Sequence, residues 1–121
     1  MKAADIIKSV NETDPSAYSN QRLLEWLSEL DGQIWAEVIQ THEGAPEEAF
    51  TGHSSENSEM LAPWPYGKSL YENYLKARIA EENAETERYN QCAALYGTAL
   101  QEYRNWYNRT HRPLGRGSIR I

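Results

Sequence analysis

The chain has 121 residues, 40% of them hydrophobic, and a net charge of −6, which suits one domain with a core of its own. No stretch approaches the ~20 apolar residues that span a bilayer, and the single cysteine, Cys92, excludes an internal disulfide and fits a reducing compartment. Charge is unevenly spread: up to Glu102 there are 7 basic residues against all 18 acidic ones, a balance of −11, whereas Tyr103–Ile121 carries five Arg and no acid.

In chain order, Met1–Lys8 is too short and too charged for a secretory signal, so synthesis and use in a cytoplasm are expected. Ala3–Val10 reads as a short helix, with Ala4, Ile7 and Val10 spaced by three and Ile6 adjoining. Asn11–Pro15 stops it, since proline does not continue a helix. Ser19 is a suitable N-cap for a second helix. Its apolar face is Leu23, Leu27, Leu30, Ile34 and Val38, widened by Leu24, Trp35 and Ile39; Glu25, Glu29, Gln33, Glu37 and Gln40 lie off it. Asp31-Gly32 interrupts this pattern and predicts a kink or a two-part helix.

Residues 43–67 have no period and hold three Gly and three Pro. So long a segment is either ordered by a partner or packed down by its own anchors, for which Phe50, Met60, Leu61, Trp64 and Tyr66 are candidates. Pro63-Trp64-Pro65 is locally stiff. From Ser69, two apolar stretches follow. The first is Leu70, Tyr74, Leu75 and Ile79; the second runs from Tyr89 through Cys92, Tyr96, Ala99 and Tyr103 to Tyr107. One helix over both would be roughly 60 Å long, more than a small domain covers. Two antiparallel helices joined at about Asn83 are therefore expected, with Asn83 suited to a left-handed turn. Thr110–Pro113 closes the last helix, and the Gly-rich basic tail ends in an extended-looking Ser118–Ile121. The expected fold is all-α: a small helical bundle over residues 1–112, with a long irregular loop at about 43–67 and an extended tail at 113–121.

The Tyr and Trp stripe reads as core, with a subunit interface as the functional reading. The histidines, 42, 53 and 111, show no metal-ligand spacing, nor does Cys92 join them; they read as surface or cap residues, and Cys92 as a small buried hydrophobe. Glu81, Glu82, Glu85 and Glu87 read as a solvated turn. No nucleophile elbow, phosphate loop or zinc-protease motif is present, so neither catalysis, a cofactor nor a small-molecule substrate is expected. The asparagines of Asn11-Glu12-Thr13 and Asn108-Arg109-Thr110 match the glycosylation pattern by chance. The basic tail has three readings: a solvated terminus, contact with an acidic neighbour that is another copy or another protein, or contact with nucleic-acid phosphate. The acidic body argues against general nucleic-acid binding. The candidate protein-interface residues are Trp64, Tyr66, Trp106, Tyr107, Arg109, Arg112, Arg116 and Arg120.

Three stretches carry a resemblance. They are Arg22-Leu23-Leu24-Glu25-Trp26-Leu27-Ser28-Glu29-Leu30-Asp31-Gly32 with Ile34 and Val38; Pro65-Tyr66 with Leu70-Tyr71, Tyr74-Leu75 and Ala77-x-Ile79; and Arg88-Tyr89-Asn90 with Tyr103-x-x-Trp106-Tyr107-Asn108-Arg109-Thr110-His111. Together they resemble small head-morphogenesis proteins, of head–tail connector or adaptor type, from tailed phages and prophages of Gram-positive bacteria. The resemblance implies a mainly helical virion subunit that forms a ring beneath the portal and bridges head to tail. Its partners would be the portal, the neighbouring connector or tail protein and its own copies, with packaged DNA met at most in a channel. It would be assembled in the host cytoplasm and found in the virion. Glu43–Pro63 has no counterpart in the pattern, and no portal-contact residue carries over. The rival class is a non-catalytic helical protein-binding module, such as a prophage regulator or a packaging accessory.

Overall fold

The structure, a computed structural model, describes residues 1–114. It is all-α. Helix α1 spans Ala3–Thr13, α2 Asn20–Ile34, α3 Tyr66–Glu82 and α4 Thr86–Thr110, with a π-helical turn at Trp35–Ile39 continuing α2. Among the described residues there is no strand, only two isolated antiparallel bridges, Lys2 with Glu59 and His42 with Pro113. The expected tail from residue 115 on, with Arg116 and Arg120, lies outside the described residues.

Helix α3 is central and packs on α1, α2 and α4. The core joins Ile6, Ile7 and Val10 of α1 to Leu23, Leu27, Leu30 and Ile34 of α2 and to Leu70, Tyr71, Leu75 and Ile79 of α3. The α2 face read from the sequence is therefore the buried one, and Glu25, Glu29, Gln33, Glu37 and Gln40 are exposed. Ser19 caps α2 by accepting from the Arg22 N–H at 3.1 Å. Helix α1 runs a turn further than its apolar period, to Thr13, before Asp14 and Pro15 end it. Asp14 is buried and pairs with Arg88, which ties the end of α1 to the start of α4.

The break in the second helix does not fall at Asp31-Gly32. The chain stays α-helical through that dipeptide and widens at Trp35–Ile39, where the Gln40 N–H reaches the Trp35 carbonyl at 2.9 Å. Val38 and Ile39 of this turn are both buried in the core.

The hairpin of α3 and α4 forms as expected, with a correction at its turn. Helix α3 begins at Tyr66, three residues before Ser69. Asn83 keeps a negative φ, and Ala84 is the left-handed residue, with φ 57°. Asn83 has another use: its side-chain carbonyl accepts from the Tyr18 hydroxyl at 3.0 Å. Glu81, Glu82, Glu85 and Glu87 are exposed around this turn.

The long loop between the π turn and α3 is packed down by anchors. Met60 and Ala62 are buried and Leu61 half-buried, while Phe50 lies against Trp35 and His53 with ring centroids 6.4 and 5.0 Å away. The loop also completes α1, whose Ala3 and Ala4 N–H groups donate to the Ser58 and Glu56 carbonyls at 3.0 and 2.7 Å. These are the donors that a helix start leaves without partners.

Candidate protein-interaction surface

A buried polar cluster sets the path of the loop into α3. Asp31 has no exposed surface. One carboxylate oxygen accepts from the Tyr71 hydroxyl at 2.5 Å; the other accepts from His53 Nε2 at 2.7 Å and from the Leu61 N–H at 3.0 Å. A carboxylate only accepts, so His53 carries its proton on Nε2. The Tyr71 hydroxyl in turn accepts from the Ala62 N–H at 2.8 Å, and the His53 N–H donates to Ser28 Oγ at 2.9 Å. Burial, followed by the charge and hydrogen bond of Asp31, holds the Tyr71 phenol well above its ordinary pKa. Through this cluster α2 and α3 grip the loop just upstream of Pro63-Trp64-Pro65.

At Gly67 the chain passes close to itself. A β-carbon there would collide with the Ala62 carbonyl, so only glycine fits the first turn of α3. Tyr66 beside it stacks on Trp106 near the far end of α4, with ring centroids 5.1 Å apart and planes at 26°. Tyr107 stacks on His111 at 3.9 Å and meets the edge of His42 at 4.7 Å. His42 is buried; its Nδ1 meets the Val38 carbonyl at 2.5 Å and its Nε2 meets Asn108 Oδ1 at 2.7 Å. The Glu43 N–H donates to the Arg112 carbonyl and the Leu114 N–H to the Thr41 carbonyl, both at 2.8 Å, which pins the segment after α4 to the end of the π turn.

The base of the hairpin is thus an aromatic cluster of Tyr66, Trp106, Tyr107 and His111, all half-buried, with Arg109 and Arg112 exposed beside it. Among the described residues neither arginine has a carboxylate partner. Of the candidate interface residues, Tyr66, Trp106, Tyr107, Arg109 and Arg112 come together here. Trp64 does not join the cluster. It is 69% exposed and lines an open groove along α3 with Lys68, Glu72 and Lys76. Arg116 and Arg120 lie outside the described residues.

Four residues that shape this part of the fold were not evident from sequence. His42 and His53 are buried and bonded, which corrects their reading as surface or cap residues; His111 does cap α4. Asp31 left a usable signal, an acid among the apolar positions Leu27, Leu30 and Ile34. Trp26 left less of one. It is buried on the polar flank of α2 under two guanidinium groups, Arg22 at 5.5 Å and Arg78 at 5.0 Å from its ring centroid. Cys92 is buried, as expected of a small hydrophobe.

Comparisons of the chain with family models, with curated proteins and with solved structures find no match.

Proposed function

We propose that this chain is a virion structural protein of a tailed phage or prophage: a head–tail connector subunit that docks on the portal, lies beside its own copies in a ring and bridges to the next connector or tail protein. It acts through protein contacts and without catalysis, and it takes its place in the virion after assembly in the host cytoplasm. The sequence resemblance is the basis of this reading. The observation that carries it further is the meeting of two resemblance motifs at one end of the hairpin. Pro65-Tyr66 opens α3 there and Trp106–His111 closes α4 there, with Tyr66 stacked on Trp106 and with no carboxylate partner for Arg109 or Arg112 among the described residues. Tyr, Trp and Arg are the side chains enriched in protein interfaces. No helix among the described residues is long and apolar enough to cross a membrane, and the proposed partners are proteins.

The direct test reverses the exposed charges. Arg109→Glu with Arg112→Glu leaves the fold intact, because exposed substitutions ordinarily change stability by no more than about 0.5 kcal/mol. Attachment of the chain to portal-bearing heads is expected to be lost. Undiminished attachment of a folded double variant would reject the hairpin base as the docking surface.

A further inference from the structure

Of the large apolar side chains exposed among the described residues, Trp64, Leu95 and Leu114, only Leu95, at 56%, lies inside a helix. It flanks the outer face of α4. The opposite face of that helix turns Tyr96, Leu100 and Tyr103 to the core. Outward, Glu87, Gln91, Ala94, Thr98, Asn105 and Arg109 form one line, and each of them is exposed. Between Gln91 and Gln101 the chain has no charged residue, whereas a solvated helix face is ordinarily polar and charged.

The order along this line is symmetric about Thr98. Gln91 and Asn105 stand seven residues before and after it, and Glu87 and Arg109 eleven before and after. Seven and eleven residues are close to two and three helical turns, so all five share the face. Laying a second such helix over the first, end for end about Thr98, sets amide on amide and carboxylate on guanidinium. Neither Glu87 nor Arg109 has an ion-pair partner among the described residues. Arg88, next to Glu87 but turned off the line, is held by Asp14 and lies 4.0 Å from Glu85. Ala94 and Thr98 at the centre are small, which lets two helix axes approach to about 8–10 Å.

We infer that α4 packs antiparallel on α4 of a second copy, about a two-fold axis at Thr98. A two-fold repeats every contact, so the pair holds two Glu87–Arg109 contacts. A parallel pair would set glutamate on glutamate and arginine on arginine, and charge therefore selects the antiparallel one. Glu102, the other acid of this face, lies four residues after Thr98 and so comes opposite Ala94 of the neighbour, beside Leu95 and away from any acid. The contact is one helix wide and accordingly weak. It stands apart from the connector reading. A two-fold pair closes on itself and does not propagate into a ring, so it describes the chain off the head, and it engages the same Arg109 that the docking proposed above uses.

The test is sedimentation equilibrium of the full-length chain up to about 1 mM, where a contact with a millimolar Kd is already populated. A reversible monomer–dimer equilibrium that weakens with added salt is expected. Glu87→Arg and Arg109→Glu are each expected to raise Kd about tenfold or more, because either change sets like charges together twice. Both changes in one chain are expected to restore the dimer, with folding checked by circular dichroism. Mild oxidation fixes the geometry. Thr98→Cys is expected to form a disulfide-linked dimer. Gln91→Cys alone is not, because the two copies of that residue lie about 21 Å apart along the helix pair, whereas Gln91→Cys mixed with Asn105→Cys is. The buried Cys92 leaves the unaltered chain unlinked. A chain that stays monomeric throughout, a dimer indifferent to the charge variants, or linkage at position 91 as ready as at 98 overturns the pairing. Attachment to heads is measured separately, and none of these outcomes alters it.

Discussion

Asp31 is the residue on which the loop depends. Its burial is tolerated because three donors meet it, and removing the acceptor strands all three in a buried site. Asp31→Ala is therefore expected to cost roughly 3–5 kcal/mol, read as a fall in the urea midpoint with an unchanged slope. Tyr71→Phe removes the donor to Asp31 and the acceptor for Ala62 and is expected to cost about 1–3 kcal/mol. Tyr103 offers the contrasting case. It is fully buried, and its hydroxyl has no partner among the described residues. Tyr103→Phe is expected to be neutral or stabilising, because an unpaired hydroxyl is removed with its ring left in place. Equal losses at positions 71 and 103 would contradict this assignment. The tyrosines also set an alkaline limit. Burial raises the phenols of Tyr71, Tyr74, Tyr96, Tyr103 and Tyr107 above the ordinary 10.0. As pH rises past about 10, the unfolded chain loses these protons before the folded one does, so their contribution is whole below that pH and falls above it. Phenolate absorbance from these five tyrosines is expected to appear together with unfolding rather than ahead of it.

At the scale of elements, two backbone positions are open to direct test. Gly67→Ala drives a β-carbon into the Ala62 carbonyl at the first turn of α3 and is expected to destabilise the chain by about 1–3 kcal/mol or more. Ala84→Gly relieves the left-handed residue of the hairpin turn and is expected to raise the melting temperature by an amount equivalent to about 1 kcal/mol. The elements that could be read from the sequence were those written in local terms: the Ser19 cap, the Leu23–Ile39 stripe and the polar break that divides α3 from α4. What could not be read was set by distant contacts. The Asp31–His53 bond joins residues 22 apart, across a loop with no period of its own. His42 finds Asn108 only after the hairpin has folded back. The π turn at Trp35–Ile39 falls inside an apolar pattern that an ordinary α-helix would also satisfy, so nothing in the period marks it. Asn83 was the better left-handed candidate by propensity, but its side chain is engaged by Tyr18 and the turn falls one residue later.

The whole molecule is a helical hairpin with opposite chemistry at its ends, laid over two shorter helices. The α3–α4 turn carries exposed glutamates, and the hairpin base carries aromatics with exposed Arg109 and Arg112. The stripe from Leu70 to Tyr107 is divided accordingly. Leu70, Tyr71, Leu75 and Tyr103 are core, whereas Tyr66, Trp106 and Tyr107 are half-buried at the base. Folding and attachment should therefore separate on truncation. A chain ending at Leu114 keeps the Glu43–Arg112 and Leu114–Thr41 bonds and is expected to melt as the full chain does, while losing attachment that depends on Arg116 and Arg120. The central claim is tested most directly by quantitative mass spectrometry of purified tailless heads from cells carrying the gene for this chain. The account predicts the chain in those heads at a fixed, ring-like ratio to the portal subunit. Its absence from heads, while it accumulates folded in the same cells, would contradict the account.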